Sequence, residues 1–115
     1  MKQRTKQFAL RVIKLVESLP SDQTCRVLDR QLLRSGTSVG ANYRAASRSK
    51  SNADFISKMG TVEEEADESG YWMVLLIEAG KVKPTKLSAL MQEAGELTAI
   101  AVSSINTARK SPARR

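Results

Sequence analysis

The sequence predicts an all-α protein, an antiparallel up-down-up-down four-helix bundle. Three observations lead there. Apolar residues recur three and four apart through four segments. Short stretches carrying Pro, Gly or Ser divide those segments. No strand-period alternation competes with the pattern. Short connections between helices make antiparallel neighbours the expected arrangement.

The first helix is expected over residues 4–18, with Phe8, Val12, Leu15, Val16 and Leu19 as its apolar stripe. Pro20 and Ser21 end it and set up the next start. The second is expected over residues 23–48 and contains Gly36 and Gly40. Each glycine costs about 1 kcal/mol against Ala in a helix interior. Their presence suggests close helix–helix approach, with a break near Gly36 as the alternative. Ser51 followed by Asp54 resembles a capping box and marks the third helix, which ends at Gly80, a natural residue just past a helix end. Pro84 suits the first turn of the fourth helix. Its stripe is Leu87, Leu90, Met91, Ala94, Leu97, Ala101, Ile105 and Ala108. Residues 1–111 thus form one bundle domain, and residues 112–115 form a basic C-terminal tail.

Residues 31–72 place small or polar side chains where a bundle core is usually apolar. Gln31, Ser35, Ser38, Asn42 and Ala46 fall three or four apart on the second helix. Phe55, Met59, Val62, Ala66, Ser69 and Met73 share a face of the third, with Glu65, Glu68 and Trp72 alongside. Small residues let helices approach, and polar atoms drawn into the contact must find partners. Gln31, Arg34, Ser38, Asn42, Glu65 and Glu68 therefore read as a structural polar layer, with Arg34 partnering the two glutamates. If that pair is buried, removing one member costs several kcal/mol. Trp72, Leu75 and Ala79 widen the apolar surface beyond what an isolated bundle needs, which points to self-association.

With 115 residues, 41 % of them hydrophobic, the chain suits one globular domain. Its longest uncharged apolar run, residues 71–77, is far too short to cross a bilayer. The basic N-terminus lacks the apolar stretch of a secretion signal. Cys25 is alone, so no internal disulfide framework exists, and it reads as a semi-buried structural thiol. A soluble cytoplasmic protein is expected, without membrane contact.

There is no histidine. That removes the usual general base near neutral pH, the commonest transition-metal ligand, and every dyad or triad built on imidazole. Glu63, Glu64, Glu65, Asp67 and Glu68 point around their helix rather than converge, so no metal site is expected. No glycine pattern forms a phosphate loop. Ser35 and Ser38 have no base to activate them. No catalytic residue, cofactor or enzymatic activity is expected.

Charge is segregated along the chain. Within a net +7, residues 1–50 contribute +8, residues 51–80 contribute −6, and residues 81–115 contribute +5. One acidic helix lies among basic ones. Arg11 and Lys14, Arg26 and Arg30, Arg44 and Arg48, and Arg109 and Lys110 are the candidates for phosphate contact. Arg114 and Arg115 follow in the tail. A solvated face is the bland reading of any single one. As a set they favour nucleic acid, RNA first, bound through its backbone with little sequence specificity. A protein-interaction scaffold, or an accessory subunit docking a nucleic-acid enzyme, is the alternative.

Gln31-Leu32-Leu33-Arg34-Ser35, Ser38-Val39-Gly40-Ala41-Asn42, residues 51–55, and Glu65-Ala66-Asp67-Glu68 with Tyr71-Trp72 carry a family resemblance. With Phe8 and the general spacing, it covers roughly residues 4–110. The chain resembles the bacterial four-helix-bundle proteins of ribosomal-RNA intervening sequences. The resemblance implies a bundle that assembles into a ring-shaped homopentamer. It also relates the chain to an accessory protein of diversity-generating retroelements, a similar barrel that binds a reverse transcriptase and nucleic acid. One departure is Ala45, where the family usually has glutamate. Any interaction that acid makes is missing here or supplied by another residue.

Overall fold

A computed structural model describes residues 1–111; the tail assigned to residues 112–115 lies outside the described residues. Four α-helices follow in order: α1 (Lys2–Glu17), α2 (Gln23–Ser47), α3 (Asn52–Glu78) and α4 (Pro84–Lys110). They form an antiparallel bundle, a rod of 51 × 20 × 19 Å. α1 packs on α2 and α4, and α3 packs on the same two helices from the other side. α1 and α3 are therefore diagonal to one another.

The ends follow local chemistry. α1 begins two residues before its expected start, and Ser18 is its C-cap rather than its last helical residue. Asp22, not Ser21, caps α2: its Oδ1 accepts from the Cys25 N–H at 2.8 Å. The Ser51 hydroxyl accepts from the Asp54 N–H at 3.1 Å, while the Asp54 carboxylate takes Lys58. Past α3, Gly80 has φ 74°, the left-handed conformation that glycine adopts without a steric penalty.

The core is made of Phe8, Val12, Leu32, Val39, Met59, Val62, Met73, Leu76, Leu87 and Leu97, with alanines between them. Cys25 is fully buried rather than semi-buried, and burial pushes its thiol pKa up. α2 runs unbroken through both of its interior glycines. A β-carbon on Gly40 would stand 3.3 Å from Thr5 Oγ1, so these positions bring α1 against α2. Thr5 itself is buried, its hydroxyl donating to backbone oxygens one turn back.

α1 is the short helix, with 16 residues against 25 to 27 in the others. At 1.5 Å per residue it spans about 24 Å against about 40 Å for α4. Arg4, near its start, meets Glu93 and Glu96, so the last turns of α4 extend past it.

Candidate nucleic-acid interface

The polar stretch resolves into two separate structures. One is buried: Ser69 Oγ and Ser35 Oγ lie 3.0 Å apart between α3 and α2, and each hydroxyl also reaches a carbonyl of its own helix. Helical spacing had marked both positions as polar residues on core faces, without revealing that they meet. The other sits at the surface. Arg34 Nη1 donates to Glu65 at 3.2 Å, Arg34 Nη2 donates to Glu68, and Trp72 Nε1 donates to the same Glu68 oxygen at 3.0 Å. Arg34 Nε donates to Gln31 at 3.3 Å.

The Arg34 side chain is 47 % exposed, so the several-kcal/mol cost of breaking a buried pair does not apply. Solvent screening reduces such a pair to about 1 kcal/mol or less. Ser38 and Asn42 do not reach α3. Ser38 Oγ donates to the Arg34 carbonyl and Asn42 Nδ2 donates to the Ser38 carbonyl, both within α2. Of the residues marked for self-association, Trp72 and Leu75 are half-buried and Ala79 is exposed.

The cations are distributed differently. Arg11, Lys14, Arg26, Arg30, Arg44, Arg48, Arg109 and Lys110 are all exposed. Among the described residues none of the eight forms a salt bridge. Arg26 donates only to the Ser21 carbonyl. Other basic residues are paired: Arg4 holds Glu93 in a two-point contact at 2.7 and 2.9 Å and also reaches Glu96. That hydrogen bonding lowers the Glu93 pKa and raises that of Arg4. Lys81 takes Asp22 at 3.1 Å. The Asp22 carboxyl is held low, first by the Cys25 backbone N–H and then by Lys81.

Folding brings three of the eight, Arg11, Lys14 and Arg44, into grooves beside α1. Arg11 and Lys14 line a groove of about 340 Å³ with Lys86 of α4, over an apolar floor of Leu15 and Leu90. Arg44 lines a larger groove of about 520 Å³ with Lys2 and Lys6 of α1. Arg26 and Arg30 stand on the outer side of α2 and line neither groove. Arg48 and the pair Arg109 and Lys110 are carried to one end of the rod, where Asn52 Nδ2 donates to the Ala108 carbonyl at 2.7 Å. Lys2, Lys6 and Lys86 were not singled out from sequence. Their outward helical positions were legible, but the neighbours across each groove were not.

Charge also divides across the bundle. α1 carries Lys2, Arg4, Lys6, Arg11 and Lys14 against Glu17 alone, whereas α3 carries Lys58 against seven acids. Because the two helices are diagonal, basic and acidic sides face opposite directions. Among the described residues no three of His, Cys, Asp or Glu gather as metal ligands. No described helix is long and apolar enough to cross a membrane.

These features define a class: a small basic four-helix bundle with cations that meet no carboxylate among the described residues, carried in two grooves beside α1, on the outer side of α2 and at one end of the rod. The chain belongs to the 23S rRNA-intervening sequence protein family, whose model matches residues 1–103. It is similar, at 36 % identity and a TM-score of 0.84, to a crystal structure from Bacteroides thetaiotaomicron described as a protein with unknown function from the S23 ribosomal protein family. The match covers 90 % of this chain and 96 % of that one. No curated protein matches the chain.

Proposed function

We infer that this protein is a non-catalytic, self-assembling bundle that binds nucleic acid, RNA first, through basic outer surfaces and with little sequence specificity. One observation carries the reading: the eight exposed Lys and Arg candidates meet no carboxylate among the described residues, while the acids lie mostly on the diagonal helix. Free cations next to a polyanion release its condensed counterions, which drives association regardless of sequence. The family's connection with 23S rRNA makes RNA the first polyanion to test. With no histidine in the chain, acid–base catalysis near neutral pH lacks its usual group.

Self-assembly, with the homopentamer as the expected form, draws support from apolar side chains on the outer faces of α2 and α3. Val27 is 52 % exposed and Tyr71 54 %. Native mass spectrometry tests the stoichiometry, and a monomer at micromolar concentration contradicts it.

The nucleic-acid reading is tested by reversing Arg26, Arg30, Arg44 and Arg48 together to glutamate and measuring RNA binding. Retained helicity with abolished binding is expected. Wild-type binding by the folded variant contradicts the reading.

The same exposed Val27 and Tyr71 favour a second reading, a scaffold that docks another protein. Capture from nuclease-treated lysate separates the two. A stoichiometric protein partner that survives nuclease supports the scaffold.

A further inference from the structure

The groove between α1 and α2 gathers three cations around a seam of small residues, Ala9, Gly40 and Ala41. Lys2 and Lys6 stand one turn apart on α1, about 6 Å along its axis, and Arg44 lines the groove from α2. All three are exposed, and none meets a carboxylate among the described residues. The groove holds about 520 Å³ and no acidic residue lines it. Its walls are low because Ala41 faces it from α2 and because Gly40, at the base, brings the helices together.

Recognition in this groove rests on charge. The hydroxyls of Thr5 and Thr37 both donate to carbonyls one turn back, leaving the three cations and the Gln3 amide as the donors that line the groove. No aromatic side chain lines the groove, so bases have no platform on which to stack. The other groove beside α1 also carries three cations, Arg11, Lys14 and Lys86, but it is smaller, about 340 Å³, and two of its lining residues, Leu15 and Leu90, are apolar core side chains.

We propose that the α1–α2 groove seats the sugar–phosphate backbone of single-stranded RNA, with Lys2, Lys6 and Arg44 on its phosphates and the bases turned outward. This rests on the nucleic-acid reading above and locates the strand. A groove floored by small residues, with cations on both of its helices, suits one strand. A duplex would only bridge its rim.

The test is fluorescence anisotropy with a labelled mixed-sequence RNA strand and the full-length protein. Ala41→Trp fills the slot without changing charge, and Ala99→Trp adds the same bulk at an exposed position of α4 that lines neither groove. Ala41→Trp is expected to raise Kd at least tenfold and Ala99→Trp to leave it unchanged. If the tryptophan disturbs folding, the exposed triple variant Lys2→Gln, Lys6→Gln, Arg44→Gln keeps the question open to measurement. It is expected to reduce the slope of log K against log salt by about 2, because each phosphate neutralised on a single strand accounts for roughly 0.7 of that slope. Wild-type affinity in folded Ala41→Trp, or an unchanged slope in the triple variant, overturns the groove while leaving nucleic-acid binding intact. Duplex RNA of the same sequence binding more tightly than the single strand also overturns it. Absence of binding by the wild type overturns both readings at once.

Discussion

A β-carbon placed on Gly36 would lie 2.9 Å from both Cγ1 and Cγ2 of Val12. Val12 is fully buried, and its branched side chain has little rotamer freedom with which to move aside. Gly36→Ala therefore sets two effects against each other. Helix propensity favours alanine by about 1 kcal/mol, and overpacking costs about 1–3 kcal/mol. A net loss of roughly 1 kcal/mol is expected in denaturant unfolding. Pairing it with Val12→Ala should recover the steric part, giving a favourable coupling in a double-mutant cycle. Simple additivity of the two would mean that α1 and α2 are not in tight contact there.

The Ser35–Ser69 contact should behave as one bond shared by two residues. Either serine changed to alanine leaves the other still bonded to a carbonyl of its own helix. Each single change is expected to cost about 1 kcal/mol, and the double change clearly less than the sum. Ser69→Leu should cost more than either, because the site has room only for a small side chain.

Asp29 supplies a pH dependence. Its Oδ1 is buried and has no hydrogen-bond partner among the described residues. Burial first, and the Asp22 charge second, raise its carboxyl above the usual range. A folded-state pKa above the unfolded value means that the native state keeps its proton longer. The stability is then complete below the unfolded pKa and is lost as pH rises through the folded one. Asp29→Asn should melt at a higher temperature than wild type at neutral pH. The difference should vanish near pH 3, where both forms are uncharged. An equal gain at both pH values would point to a cause other than ionisation.

Ala45 stands between Arg44 and Arg48, and neither arginine meets a carboxylate among the described residues. On a helix, an acid at this position faces Arg48 three residues on. Ala45→Glu, which places an acid beside Arg48, should weaken RNA binding several-fold at low salt while changing the melting temperature little. Unchanged affinity would show that this end of α2 stays clear of the ligand.

Much of the fold was legible in the sequence because helix periodicity and caps are local. Ser51, Gly80 and Pro84 marked ends that the structure places within two residues. Buried Met59, Val62, Ala66, Ser69 and Met73 were readable as one face of α3. The misreadings involve choices that several neighbours decide together. Asp22 outcompeted Ser21 as cap. Ser38 and Asn42 found carbonyls of their own helix instead of a partner on α3. The basic candidates were visible as outward positions, but which of them share a groove depends on how α1 lies against α2 and α4. Thr5 shows the same limit. A threonine on a basic helix start is buried only because Gly40 brings α2 against it.

The most direct test is the salt dependence of wild-type binding to single-stranded RNA. With four to six cations on phosphates, log K should fall linearly against log salt with a slope of about −3 to −4, and vary little with sequence. A slope near zero, or no measurable binding at low salt, would contradict the account.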